Sequence, residues 1–229
     1  ISVYTKELMP ESGGAYSFTS EMILHIKNKM GIDLKIYGKT IRRSLILDLW
    51  FFFGKKIFSR MAYLNMLEAV TRFDGSKFVY FPSIHFVPVL KPYVFTVWDL
   101  CHLDYPDLPE IKFGDFDYKK RERLYSLALS SAFKIVTGTE YTRDKIVKNY
   151  KIPHDKIVII PLPVRDSFFE YRKKIVKIQN QESFLFYPSQ FWKHKNHDVI
   201  IEAVSILKHV HGCKLKVIFS GSDKGNLEN

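Results

Sequence analysis

The stretch "FKIVTGTEYTRDKIVKNYKIPHDKIVIIPLPV", residues 133–164, decides the fold. "FKIVTG" is β-branched and apolar, so it reads as a strand, and it runs straight into "TEYTRDKIVKNY". There Thr139 is placed to cap a helix, and Glu140 favours that helix's positive end. "DKIVIIPLPV" then returns to strand texture and is closed by two prolines. A strand, a helix and a strand in this order form a βαβ unit. Strands that are apolar almost throughout are those of a parallel sheet covered on both faces.

The same alternation extends to either side. "ISVYTKEL" and "DLKIYG" read as strands, as do "KFVYFPS" and "YVFTVWDL". "SFTSEMILHIKNKM" has Phe18, Met22, Ile26 and Met30 four apart, a helix period stopped by Gly31. "MAYLNMLEAVTRF" and "DYKKRERLYSLALSSA" also read as helices. The expectation is an α/β Rossmann-like domain over residues 1–164. Residues 165–182 are polar, basic and weakly periodic, as an interdomain linker would be. Residues 183–229 hold one strand, "FLFYPS", one helix, "HDVIIEAVSILKHV", and one strand, "LKVIFSGS". One βαβ unit cannot bury both faces of a sheet, so this segment is expected to be the opening of a second domain.

With 229 residues, 46% hydrophobic and 26% charged, the chain has the composition of an ordinary globular protein, and its apolar runs are too short to cross a bilayer. Cys101 and Cys213 are far apart and show no ligand spacing, which reads as two small buried hydrophobes in a reduced, cytoplasmic setting. The net charge of +11 asks for an anionic partner. The excess is concentrated in residues 38–60, where Lys39, Arg42, Arg43, Lys55, Lys56 and Arg60 face only Asp48 and are interleaved with Trp50, Phe51, Phe52 and Phe53. Such a segment suits the surface of an anionic membrane, and equally a core helix whose cations snorkel. The basic residues are not gathered on one recognition helix or aromatic sheet, which speaks against nucleic acid. The lack of a G-x-G-x-x-G speaks against a nicotinamide or flavin enzyme.

Candidate site residues lie where strands give way to helices. In "FYPSQFWKHKNHDVIIEAV", residues 186–204, Lys193, His194, Lys195, Asn196 and His197 crowd the start of a helix. A helix amino terminus attracts phosphate, and Lys195 would add a full charge to it. The plainer reading leaves Lys193 and Lys195 as solvated loop charges and Asn196 as a cap. Gly13 and Gly14 either make a turn or let the backbone approach a phosphate or sugar. Asp99, at a strand's carboxyl end, is placed to hydrogen-bond a hydroxyl or to cap a helix. Trp98 would stack on a sugar ring or fill the core. Asp115 and Asp117 have the D-x-D spacing of a metal site but precede a helix, where acidic residues favour the positive end, so no metal is expected. Gly221, in "FSGSDKGN", reads as a plain turn or a ligand-side loop.

Four ordered segments, "ESGGAYSF", "KPYVFTVWDLCHLDYPDLPE", residues 133–164 and "FYPSQFWKHKNHDVIIEAV", together resemble the family 4 glycosyltransferases, retaining enzymes of the two-domain GT-B fold. The resemblance implies transfer of a sugar from a nucleotide diphosphate donor, held mainly by the second domain, to a glycan acceptor, free or lipid-linked, held mainly by the first. It implies a setting in bacterial surface polysaccharide synthesis. Lys195 matches the family's phosphate-binding Lys, while Ser189 and Gln190 stand where many relatives carry Arg, with Lys193 as a stand-in. Trp98 occupies the place of a His that many relatives have before Asp99, and His102 follows as a replacement. Gly13, Gly14 and Gly221 match loops bordering the donor and acceptor. On this reading Asp99 and Lys195 are catalytic, and Gly13, Gly14, Trp98, His102, Ser189, Gln190, Lys193 and Gly221 bind substrate. The nucleotide sugar is a substrate, and neither metal nor cofactor is needed. The family's paired glutamates would fall beyond Asn229, so the 229 residues alone are expected to have little or no transferase activity. The competing classes are a non-catalytic GT-B-like binding subunit and a basic nucleic-acid-binding protein.

Overall fold

A computed structural model describes residues 1–5, 14–37, 76–86, 89, 91–112, 117–162, 164, 166–172 and 183–221. In chain order the elements are β1 (Ser2–Tyr4), α1 (Gly14–Met30), β2 (Lys35–Tyr37), β3 (Val79–Phe81) and β4 (Tyr93–Val97). Then come α2 (Cys101–Asp104), α3 (Pro109–Lys112), α4 (Tyr118–Ser131), β5 (Lys134–Thr137), α5 (Glu140–Tyr150) and β6 (Ile157–Ile159). The last are α6 (Asp166–Arg172), β7 (Phe184–Pro188), α7 (His197–His211) and β8 (Lys216–Ser220). The chain divides into two compact units, Ile1–Leu100 with Glu122–Arg165 and Cys101–Arg121 with Asp166–Asn229.

The first unit is built on a six-stranded sheet in the order β2-β1-β3-β4-β5-β6. Every neighbouring pair in it is parallel. Residues 133–164 form the expected βαβ unit. Thr139 caps α5 by accepting from the Thr142 amide at 3.1 Å, and the helix closes at Lys151, which takes a left-handed φ of 57° and returns its amide to the Val147 carbonyl. Successive side chains on a strand point to opposite faces, and Ile135, Val136 and Thr137 are all buried, as are Phe95, Thr96 and Val97. The central strands β4 and β5 are therefore covered on both sides, which is why they lack polar alternation. Phe81 lies at the middle of the core, 5.0 Å from Phe86, 5.6 Å from Tyr93 and 6.3 Å from Phe95, and Phe95 in turn meets Tyr125 of α4 at 6.2 Å. Strand order reverses between β1 and β3, so the connections leaving these two strands diverge at the sheet's carboxyl edge. That edge is where open α/β sheets bind ligands.

In the second unit β7 and β8 pair in parallel over five residues, with α7 as their crossover. Apolar side chains remain outside on both elements: Phe184, Leu185 and Phe186 of β7, and Val199, Ile201, Ile206 and Val210 of α7, are exposed. The segment that begins the sequence-defined linker forms α6, and residues 173–182 lie outside the described residues, as does the basic-aromatic stretch 38–60. No helix among the described residues is long and apolar enough to cross a membrane. The cysteines depart from expectation: Cys101 is only half-buried and Cys213 is exposed. Cys213 follows Gly212, whose φ of 63° ends α7, and its amide is tied to the Leu207 carbonyl at 3.0 Å.

Tyr93 links core and chemistry. Its hydroxyl donates to the Ala128 carbonyl at 2.7 Å, and burial pushes its pKa up to about 12 despite a hydrogen bond with Ser131 that lowers it. A folded-state pKa above the unfolded value near 10 contributes stability that is whole below pH 10 and lost as pH rises towards 12. Urea denaturation at pH 9 and at pH 12 should differ by at most about 2.7 kcal/mol on account of this group. The Tyr93→Phe chain should lose less across that interval than the parent.

Candidate functional site

At the carboxyl edge of the first unit, β4 delivers Trp98 and Asp99. The Trp98 indole is held on three sides: Nε1 donates to the Pro82 carbonyl beyond β3 at 2.9 Å, Phe18 of α1 meets the ring edge-on at 4.4 Å, and Gly138 beyond β5 approaches closely enough that a Cβ there would lie 3.9 Å from the ring. Trp98 thus joins three strand ends to α1, and its only hydrogen-bond donor is used within the protein. It remains half-exposed. Asp99 is exposed. Its backbone is steadied by Tyr125, whose hydroxyl donates to the Asp99 carbonyl at 3.3 Å. Tyr150 of α5 packs edge-on against Tyr125 at 6.0 Å and donates its hydroxyl to Glu122.

Gly14 is the first residue of α1, where a Cβ would meet nothing within 4 Å, so neither crowding nor backbone conformation demands glycine there. Gly13 lies outside the described residues. Two hydroxyls escaped the sequence reading: Thr19 Oγ1, in the second turn of α1, and Thr137 Oγ1, at the end of β5, are buried with no hydrogen-bond partner among the described residues. The local sequence around Thr19 and Thr137 gives no hint of that.

The second unit contributes the loop between β7 and α7. Lys193–Lys195 form a single 3-10 turn, followed by Asn196 in a left-handed conformation, φ 51°. Asn196 precedes α7 in the capping position, yet its side chain makes no capping bond. Tyr187 of β7 donates its hydroxyl to the Lys195 carbonyl at 2.8 Å. Trp192 donates to the Gln190 side-chain oxygen at 2.9 Å. Lys193 pairs with Asp198 at 3.1 Å, and both side chains are more than half exposed, so the pair adds little stability. Lys195 is exposed and has no ion-pair partner among the described residues. His197 is an aromatic packing residue, stacked on Phe191 at 4.8 Å with Tyr187 and Phe219 against its other sides.

The structure brings Gly221 together with Ser189 and Gln190. A Cβ on Gly221 would sit 2.1 Å from the Ser189 carbonyl oxygen and 2.9 Å from the Gln190 Cα. The backbones leaving β7 and β8 touch, and only glycine permits it. The sequence, which left a plain turn open at Gly221, could not reveal this, because the obstructing atoms lie far away along the chain.

Of the remaining candidates, His102 lies in α2, fully buried, with Tyr118 at 5.7 Å. Asp115 is outside the described residues, and Asp117 accepts from the Lys120 amide at 2.9 Å at the start of α4, the helix-end role the sequence suggested. Among the described residues no group of three His, Cys, Asp or Glu side chains could hold a metal ion. A residue that sequence reasoning passed over is Glu110 of α3. It accepts from the His194 amide at 3.1 Å and also from His194 Nδ1. Burial raises its carboxyl pKa, but bonds from its own backbone and from His194 outweigh that and hold it below the usual range. No family model matches the chain, and no curated protein matches it in sequence.

The two glycines should separate on substitution. Gly221→Ala must push the Ser189 backbone aside, and overpacking of this kind typically costs about 1–3 kcal/mol. Gly14→Ala enters open space and should leave stability within about 1 kcal/mol of the parent. Thermal midpoints of the two variants check both expectations.

Proposed function

We propose that the chain carries the nucleotide-binding and acceptor-binding elements of a retaining glycosyltransferase of the GT-B type, resembling family 4. Its reaction moves a sugar from a nucleotide diphosphate to a glycan acceptor, free or lipid-linked. The observation that carries the reading is the loop between β7 and α7: a parallel strand's carboxyl end, a turn bearing Lys193 and Lys195, and a fifteen-residue helix behind it, with Gly221 bringing the neighbouring loop against Ser189. A helix amino terminus reinforced by lysine suits a pyrophosphate. As the sugar leaves, negative charge grows on the departing phosphate, and a fixed cation there contributes on the order of a few kcal/mol to the transition state.

On this reading Lys195 has the leading electrostatic role, with Lys193 partly offset by Asp198. In the first unit Asp99 would hydrogen-bond the acceptor hydroxyl. The donor's own phosphate oxygen takes the proton from that hydroxyl as it attacks the sugar from the face the diphosphate leaves, so no protein nucleophile is involved. Trp98 supports this edge by holding strand ends together rather than by offering its N–H to a sugar. Trp98 therefore stands in the place of the family's His without taking over a polar role there.

Binding is the direct test. GDP, UDP and dTDP, each titrated at millimolar concentration, should include at least one that raises the thermal midpoint, because a ligand selective for the folded state stabilises it. Lys195→Ala should weaken that nucleotide's affinity by roughly tenfold, the effect of losing one charge-assisted contact. A midpoint unmoved by all three nucleotides would remove the reading.

A further inference from the structure

A 3-10 turn of three residues is too short to hold its shape alone in water. The turn at Lys193–Lys195 closes two bonds of its own, from the Lys195 amide to the Trp192 carbonyl at 2.9 Å and from the Asn196 amide to the Lys193 carbonyl at 3.0 Å. Its middle residue is held from outside. The His194 amide donates to Glu110 Oε1 at 3.1 Å, and His194 Nδ1 reaches the same oxygen. Glu110 is 84 residues earlier in the chain, on α3, within the same compact unit. Its side chain is 13% exposed against 42% for His194, so the carboxylate is the buried and better-fixed end of the contact. A backbone amide and a ring nitrogen meeting one carboxylate oxygen fix both the place and the rotation of the residue between the two lysines.

We propose that Glu110 is a positioning residue for this cationic turn: through His194 it fixes the direction in which Lys193 and Lys195 present their charges, and so sets the turn's affinity for a nucleotide's pyrophosphate. The inference rests on the reading of the turn as a diphosphate site. Two effects of the carboxylate oppose each other. Its charge lowers the positive potential at the turn, whereas its bonds remove disorder that a ligand would otherwise have to overcome on binding. On this proposal ordering is the larger effect, because the two bonds hold both the backbone and the ring of His194. Glu110 therefore favours binding although it carries the same sign of charge as the ligand.

The test is calorimetric titration of the 229-residue chain with UDP, GDP and dTDP, for the parent, Lys195→Ala, Glu110→Ala and Glu110→Gln. The expected pattern is a loss of about tenfold for Glu110→Ala and near-parental or tighter binding for Glu110→Gln, whose side-chain oxygen still accepts the His194 amide without the charge. Weakening in Glu110→Ala with rescue by Gln is a result that general destabilisation would not give. Parental or tighter binding by Glu110→Ala, alongside weakening by Lys195→Ala, would overturn the role of Glu110 alone. Failure of the parent to bind UDP, GDP and dTDP alike would remove the diphosphate site and this role with it. Should Glu110→Ala not fold, hydrogen exchange in the parent decides: slow exchange of the His194 amide relative to Lys193 supports the tether, and equal exchange overturns it.

Discussion

Parallel pairing imposes one constraint from which the rest follows: every strand in a sheet ends on the same side. In the first unit this sends the residues after β1, β3, β4 and β5 to a single edge, where Trp98 ties Pro82, Gly138 and Phe18 together. In the second unit it sends the residues after β7 and β8 to a common end, where Ser189 and Gly221 come into backbone contact. Because each parallel strand needs a crossover, a helix start accompanies each of these ends where the crossover is helical. The resulting arrangement of loops and helix termini is what makes such an edge suitable for phosphates and sugars.

The core beneath the first edge is apolar on both sides of the central strands for a related reason. Strands buried on both faces have no polar alternation, so their side chains fill both layers, and Phe81, Phe86, Tyr93 and Phe95 interlock with ring centroids 5.0 to 6.3 Å apart. Tyr125 extends that aromatic packing to the backbone of Asp99 through its hydroxyl. That edge is thereby attached to the aromatic core of the unit. By contrast, β7 and α7 keep large apolar side chains on the outside, and the loop between them is ordered by a few specific bonds involving Tyr187, Trp192 and Glu110.

The fold was legible where local chemistry decides it. Apolar runs such as residues 134–137 and 157–159 mark buried strands, and Thr139 before Glu140 marks the start of α5 by the hydrogen bond it makes. The candidate site was legible as far as the position of Lys195 and Asp99 on strand-to-helix connections. What was hidden depends on partners distant in sequence. Nothing around Glu110 indicates that His194 will bind it, and nothing around Gly221 indicates the Ser189 carbonyl. The exposure of Cys213 follows from the helix ending at Gly212, which a composition-based expectation of a buried thiol could not include. The use of Trp98 as a brace became visible only with the carbonyl of Pro82 in place.

The contact at Gly221 has an evolutionary corollary. Glycine is the only amino acid without a β-carbon, so every missense change in that codon, whatever its polarity or size, drives the same first atom toward the same carbonyl oxygen. Selection at this position is therefore blind to side-chain chemistry. Drift can proceed there only if the backbone around Ser189 moves first.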